Sequence, residues 1–453
     1  MNPIVDELIE NDGVLTFRLS GVNVSIANGL RRVVHELSTV VLKSTPQNSQ
    51  RISISINTTR FNNEIIKQRL GCIPVYADID FPFSQYEINV DKQNIGEDII
   101  YVTTGDFKVV DINTQIANEE LTNNLFPINK LSGYYPELVR LLPNLINKGK
   151  GEHLKLKCKF SISSAIEDGM FNIASTCTYS NTIDSVQQNI AWTEKLQTLE
   201  YGNNKDVLEF LHTDWLLLDG KRIFKPNSFE FKVETVGPIP NNTIIVKACK
   251  LLIDKFGIFK NAIIDDIIII TESRTNIPNS YDFTLVNEDF TIGKVIELIL
   301  YTKFYETRKL IFCGFRKPHP HINESIIRIA FEHKPDNTRL KEIMIHCADD
   351  AIALYSKMLE SFTGSVIINT SLDSNKSIES AIQTKLEKDS KQTAADILLN
   401  KELPKITSIG LEVDRQAQDV QIKSIKTNEP TQSTQQTKTF KISKKPISTT
   451  VKL

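Results

Sequence analysis

The stretch LTFRLSGVNVSIANGLRRVV, residues 15–34, has a second copy far downstream in YDFTLVNEDFTIGKVIELIL, residues 281–300. Laid side by side without gaps, Phe17 meets Phe283, Leu19 meets Leu285, Ser25 meets Thr291 and Ile26 meets Ile292. Leu30 then meets Ile296 and Val34 meets Leu300, all at one offset of 266 positions (283 − 17). Each copy opens on alternating apolar residues, the pattern of a half-buried strand. A short polar turn follows, and Ser25 or Thr291 can cap the helix after it. In the first helix Ile26, Leu30, Val33, Val34 and Leu37 share a face, and in the second Ile292, Val295, Ile296, Ile299 and Leu300 do.

Each copy is followed by a second strand–helix pair. FEFKVETVG, from Phe229, alternates and leads into a helix with Ile245, Cys249, Leu252 and Phe256 on one stripe. IIRIAFE, from Ile326, leads into a helix carrying Leu340, Ile343, Cys347, Ala351, Leu354 and Met358. Two similar strand–helix–strand–helix units predict an α+β chain with two related dimerisation halves packed as an intramolecular pseudo-dimer. Chance likeness between amphipathic elements is the plain alternative. The helices that would pair carry Ile26, Leu30 and Val34 on one side and Ile292, Ile296 and Leu300 on the other.

A chain of 453 residues exceeds one ordinary core. A net charge of −2 gives no general drive toward nucleic acid or an anionic membrane. The N-terminal MNPIVDELIEND carries acids and does not read as a secretory signal. No apolar run is long enough to span a bilayer, so no membrane association is expected. The six cysteines lack any CxxC pair and read as reduced structural thiols in an intracellular protein.

Five short motifs carry a resemblance to a known family. IANGLRRVVHEL, residues 26–37, resembles a helix of the bacterial alpha subunit of RNA polymerase and of its archaeal D and eukaryotic third-subunit relatives, whose hallmark N-x-L-R-R is matched by Asn28, Leu30, Arg31 and Arg32. NNEIIKQRLGCIPV, residues 62–75, is similar to a second hallmark, an acid-bearing helix ending in R-L-G-x-I-P; Glu64, Arg69, Leu70, Gly71, Ile73 and Pro74 match. FEFKVETVGPIP, residues 229–240, resembles the strand by which that family returns to its first domain. NEDFTIGKVI, residues 287–296, and GFRKPHP, residues 314–320, resemble the archaeal L and eukaryotic eleventh subunits, with Lys294 and Glu297 departing from the family's Asn and Arg. Fusion of the two partners resembles polymerases of large nucleocytoplasmic DNA viruses.

The resemblance implies a non-catalytic assembly platform that binds the largest and second-largest polymerase subunits, with small polymerase subunits as further partners. It implies no homodimer and no cofactor or metal in this chain, magnesium being expected only in the catalytic subunit. It places the protein in the host cytoplasm, at viral factories, or in the virion. Contact with the beta-like subunit falls to Asn28, Arg31, Arg32, Glu64 and Arg69. For Arg31 and Arg32 an intrachain ion pair with Glu36 or a similar acid is the alternative; for Glu64 and Arg69 it is mutual pairing. The domains are expected at 1–55 with 226–261 for the first half, 56–225 for an inserted, mostly-β domain, 262–363 for the second half and 364–453 for a disordered tail.

Two rival functions remain open. His319 and His321 in PHPH, with Asp349 and Asp350, suggest a metal-dependent hydrolase, against a rigid Pro-bounded loop and a solvated helix face. The tail's Lys438, Lys441, Lys444, Lys445 and Lys452 suggest a nucleic-acid-binding regulator, against a solvated tail. Neither a P-loop nor an acid cluster able to hold two magnesium ions is present in the sequence.

Overall fold

The computed structural model describes residues 1–44, 51–129, 132–144, 150–197, 205–364 and the pair 368–369. The tail expected at 364–453 lies outside them, apart from Gly364 and that pair. The first half runs β1 (Ile4–Asn11), β2 (Val14–Ser20), α1 (Val24–Val33), β3 (Ala174–Ile183), β4 (Phe224–Thr235) and α2 (Asn241–Ile264). The second repeats that order as β5 (Ile269–Glu272), β6 (Ser280–Val286), α3 (Phe290–Leu300), β7 (Phe312–Arg316), β8 (Glu324–Ala330) and α4 (Asn337–Gly364). The two antiparallel sheets have matching order, β3-β4-β2-β1 and β7-β8-β6-β5. Ile368–Asn369 adds to the outer edge of β1 in parallel. The offset of the sequence repeat holds for both ends of the central strand, since β2 spans 14–20 and β6 spans 280–286.

Alternation places one face of each sheet in the core. Leu15, Phe17 and Leu19 lie opposite Val233, Phe231 and Phe229, and Phe17 stacks on Phe231 at 4.9 Å. In the second sheet Phe283 lies opposite Ile327 and Tyr281 opposite Ile329. The helices cover these faces and meet each other, α1 against α3 and α2 against α4. The apolar stripes read from the sequence, Ile26, Leu30 and Val34 with Ile292, Ile296 and Leu300, are all buried in one cluster fed by both halves. Each such side chain contributes about 1.5–3 kcal/mol on burial.

Two details bring the helices close. Gly29 has room for nothing larger, because a Cβ there would meet Tyr355 Oη at 2.6 Å. Tyr355 is buried on α4 and donates to the carbonyl of Ile26 at 3.2 Å, so the second half hydrogen-bonds directly to the backbone of α1. The caps lie two residues before the hydroxyl residues named from the sequence. Asn23 and Asp289 accept from the amides of Ser25 and Thr291 at 3.0 Å. Short Asx side chains reach the second amide of a helix readily, which frees Thr291 for another task.

Between α1 and β3 the chain builds a second core. Strands Ile52–Asn57, His153–Cys158, Tyr86–Gln93 and Lys108–Asp111 form one sheet in that order. Helix Asn63–Gly71 lends Ile66 and Leu70 to its core, with Leu154, Leu156, Cys158 and Phe160 from the stretch whose alternation predicts a strand. A ribbon of Thr39–Val41 with Ser161–Ser163 leads in and out.

The inserted region expected at 56–225 is divided differently by the strand pairing. Ile52–Asn57 already belongs to the inserted sheet, and β3 belongs to the first half's sheet through its pairing with β4. Helices Ser185–Leu196 and Lys205–Leu217 therefore fall between β3 and β4. The second half has the GFRKPHP turn at that place.

Candidate partner-binding site

α1 ends on Arg31 and Arg32, which point to different surroundings because successive helical residues are about 100° apart. Arg32 turns to the second half. Its guanidinium pairs with Asp289 at 2.5 Å, donates from Nε to Thr291 Oγ1 at 3.1 Å and sits 5.9 Å from the Phe290 ring. Arg32 thus makes an intrachain ion pair, with Asp289 rather than Glu36. Glu36 is used one layer deeper. It accepts from Lys255 Nζ of α2 at 2.6 Å, and Lys255 also reaches Glu288 at 3.2 Å.

The electrostatics follow the geometry. Burial alone would depress Lys255, but the carboxylates of Glu36 and Glu288 outweigh it and hold the ammonium above its usual range. Glu288 goes up, because burial outweighs its longer contact with Lys255. At Asp289 burial is outweighed by the Thr291 amide and the charge of Arg32, which hold its carboxyl low. Lys255 is closer to Glu36 than to Glu288, so Glu288 is the less compensated acid.

Arg31 stays on the first half. Among the described residues its one hydrogen bond runs from Nε to Asn28 Oδ1 at 3.0 Å, which ties together two residues named from the sequence. It lines a cleft of about 630 Å³ with His35, Ile166, Asn287, Lys317 and Asn323. Glu64 and Arg69 lie in the inserted core, on Asn63–Gly71. Glu64 is exposed in the first turn. Arg69 donates to the carbonyls of Leu138 and Glu137 and stacks 5.7 Å from Phe61. Among the described residues the two make no ion pair with each other.

The residues of the hydrolase reading are engaged elsewhere. Asp349 pairs with Lys260 at 2.7 Å, and Asp350 with Lys303 at 2.6 Å and His346 at 3.0 Å. His319 and His321 stack on each other at 5.1 Å. Among the described residues no three His, Cys, Asp or Glu side chains gather as a metal site would need. Burial pushes the Cys158, Cys177 and Cys249 thiols up to about 12, keeping them protonated. No described helix is long and apolar enough to cross a membrane.

Sequence reasoning missed Lys255, Glu288, Asp289 and Tyr355. Asp289 was within reach, since an Asp ahead of a helical stripe is a capping signal. Lys255 and Tyr355 interrupt apolar stripes without any local mark of their partners.

A fold of two similar halves meeting through paired helices is what a dimerisation domain requires. The RNA polymerase Rpb3/Rpb11 dimerisation domain matches residues 16–256, more than half of the chain. The chain belongs to this family. Among its relatives in the Rpb3/Rpb11 family is the DNA-directed RNA polymerase subunit Rpo3 of Pyrococcus furiosus, 26% identical over 276 residues, or 55% of this chain and 93% of that protein. A probable DNA-directed RNA polymerase II subunit RPB11 of Caenorhabditis elegans is 30% identical over 67 residues, 15% of this chain and 52% of that protein. The rpb11 subunit of Dictyostelium discoideum is 38% identical over 73 residues, 16% of this chain and 58% of that protein. Similarity to both partner types within one chain agrees with its two halves, and makes it an alpha-like RNA polymerase subunit.

Proposed function

We propose that this chain is the assembly platform of a DNA-directed RNA polymerase, capturing the second-largest, beta-like subunit with its first half and receiving the largest with its second. The observation that carries this reading is the single core built by both halves, which turns a two-chain dimer into one chain. The joint between halves is only Asp265–Ile268. A link this short replaces a bimolecular encounter by a high effective concentration.

The strand pairing supports a revised division: 1–38 with 174–264 as the first half, interrupted by 39–173 and by the helical pair 184–223, then 265–364 as the second half. Arg31, Asn28, Glu64 and Arg69 are the residues assigned to the beta-like subunit, with Arg31 foremost because it lines a cleft and, among the described residues, makes no ion pair. Arg32 is assigned to holding the halves together. In this reading the chain brings no catalytic group, magnesium belongs to the catalytic subunit, and nucleic acid is met indirectly or through the tail. Small polymerase subunits join the same assembly. A viral source, with the enzyme in the host cytoplasm or virion, rests on the fused arrangement.

The test is affinity purification of tagged chain from cells expressing the polymerase. Both large subunits should be recovered, and Arg31→Ala should lower recovery of the second-largest about tenfold, as for an interface hot spot. Failure to recover either large subunit at gentle salt would overturn the proposal.

A further inference from the structure

The junction between the halves is not symmetric, although the repeat that builds it is. At one end of the crossing of α1 and α3 the first half supplies Arg32, Glu36 and Lys255, and the second supplies Glu288, Asp289 and Thr291. Five formal charges are joined by contacts of 3.2 Å or less, and Thr291 is fully buried among them. Moving each residue but Lys255, which lies outside the repeated stretch, by the offset of 266 gives its counterpart at the other end. Arg32 becomes Leu298, Glu36 becomes Thr302, Glu288 becomes Val22, Asp289 becomes Asn23 and Thr291 becomes Ser25. None of these four charges has a charged counterpart. The counterparts are self-sufficient: Thr302 bonds the carbonyl of Leu298 at 3.0 Å, and Asn23 only caps its own helix.

We infer that the Arg32–Asp289 and Glu36–Lys255–Glu288 contacts are the specificity determinants that make a first half pair only with a second half. Two first halves meeting through the same helices would set Arg32 opposite Val22, Asn23 and Ser25, with no carboxylate to receive it. Two second halves would set Glu288 and Asp289 opposite Leu298 and Thr302, taking Arg32 and Lys255 from these partly buried carboxylates and leaving Lys317 of their own half, which makes no direct ion pair with Asp289. Side chains of Arg32, Glu288 and Asp289 are 31%, 29% and 34% exposed, so each is partly desolvated and costs more when left unmatched. Discrimination thus comes as much from what mispairing leaves unpaired as from what correct pairing gains. For a fused chain the danger is homotypic pairing between copies, which would link chains into multimers. On the platform reading it would also duplicate one docking face and lose the other, but the inference itself rests only on the fold.

The experiment uses the full chain refolded from urea and followed by size exclusion with light scattering. Wild type should return as monomer. Glu288→Val with Asp289→Asn gives the second half the first half's residues and retains a capping side chain. Its multimer fraction should rise about tenfold, corresponding to one decade in the pairing equilibrium, with unchanged helical circular dichroism. A natively folded double variant that stays as monomeric as wild type would overturn the inference. Should the double variant not refold, Asp289→Asn alone is read in the same assay against the same two outcomes.

Discussion

At the residue scale, a glycine and a tyrosine let the two halves approach closely. Gly29→Ala places a methyl 2.6 Å from Tyr355 Oη, and overpacking of this kind costs about 1–3 kcal/mol. Tyr355→Phe removes one hydrogen bond, to Ile26, and costs about 1 kcal/mol. Once Tyr355→Phe has removed the hydroxyl, the next neighbour of a methyl at position 29 is Val295 at 3.5 Å, an ordinary contact. There Gly29→Ala becomes neutral or stabilising, since Ala favours helix over Gly by about 1 kcal/mol. Urea unfolding of the two single variants and the double variant checks this, and additive costs would contradict it.

Asp289 belongs to the same scale. Its folded carboxyl is held below the ordinary value of 3.8, so the stability it contributes is present above that value and lost as pH falls through the depressed one. Arg32→Leu removes one of the groups that hold it low, and the acid limb of unfolding below about pH 4 becomes shallower. Stability measured from pH 5 downward in both proteins decides the matter. Much of this site was hidden from the sequence. Arg32 could be named but not its partner, because Asp289 lies 257 positions away and the pair exists only once the halves fold.

At the element scale, two glycines in helices do different work. Gly71 ends the Asn63–Gly71 helix. Its backbone is not left-handed; what it provides is space, since a Cβ would meet Met170 Sδ at 2.5 Å. Methionine is flexible and can yield, so Gly71→Ala should cost less than about 1 kcal/mol. Gly293 lets α3 lie on β7. A Cβ there would fall 2.0 Å from the Phe315 ring, whose backbone amide is bound by Glu297 at 2.9 Å. A rigid ring on an anchored strand cannot withdraw, so Gly293→Ala should cost about 3 kcal/mol, the upper end of overpacking. Thermal denaturation should rank the two variants in that order. The Glu297 contact also accounts for a departure from the family pattern, since Glu297 pairs with Lys294 as well.

The strands and helices with strong periodicity were legible at this scale. Those around Phe17, Phe231, Phe283 and Ile329 alternate cleanly, because one face meets the core and one meets water. β3 was not legible. ASTCTYSNTI offers only Ala174 and Cys177 as buried apolar residues, and its place was revealed by pairing with β4. The revised boundary proposed for the insertion follows from that pairing.

At the scale of the whole molecule, one chain holds two halves that pack as a pair around a common core. The repeat made the two halves visible because both copies must bury equivalent stripes against each other. The interruptions were less visible, since their composition matches that of any globular segment and only the pairing of Thr39–Val41 with Ser161–Ser163 marks where the chain leaves and returns. The measurement that tests the claim most directly is native mass spectrometry of the polymerase purified through this chain. The expected result is one copy of the chain with one copy each of the largest and second-largest subunits. Two copies of the chain in one assembly, or an assembly lacking both large subunits, would contradict it.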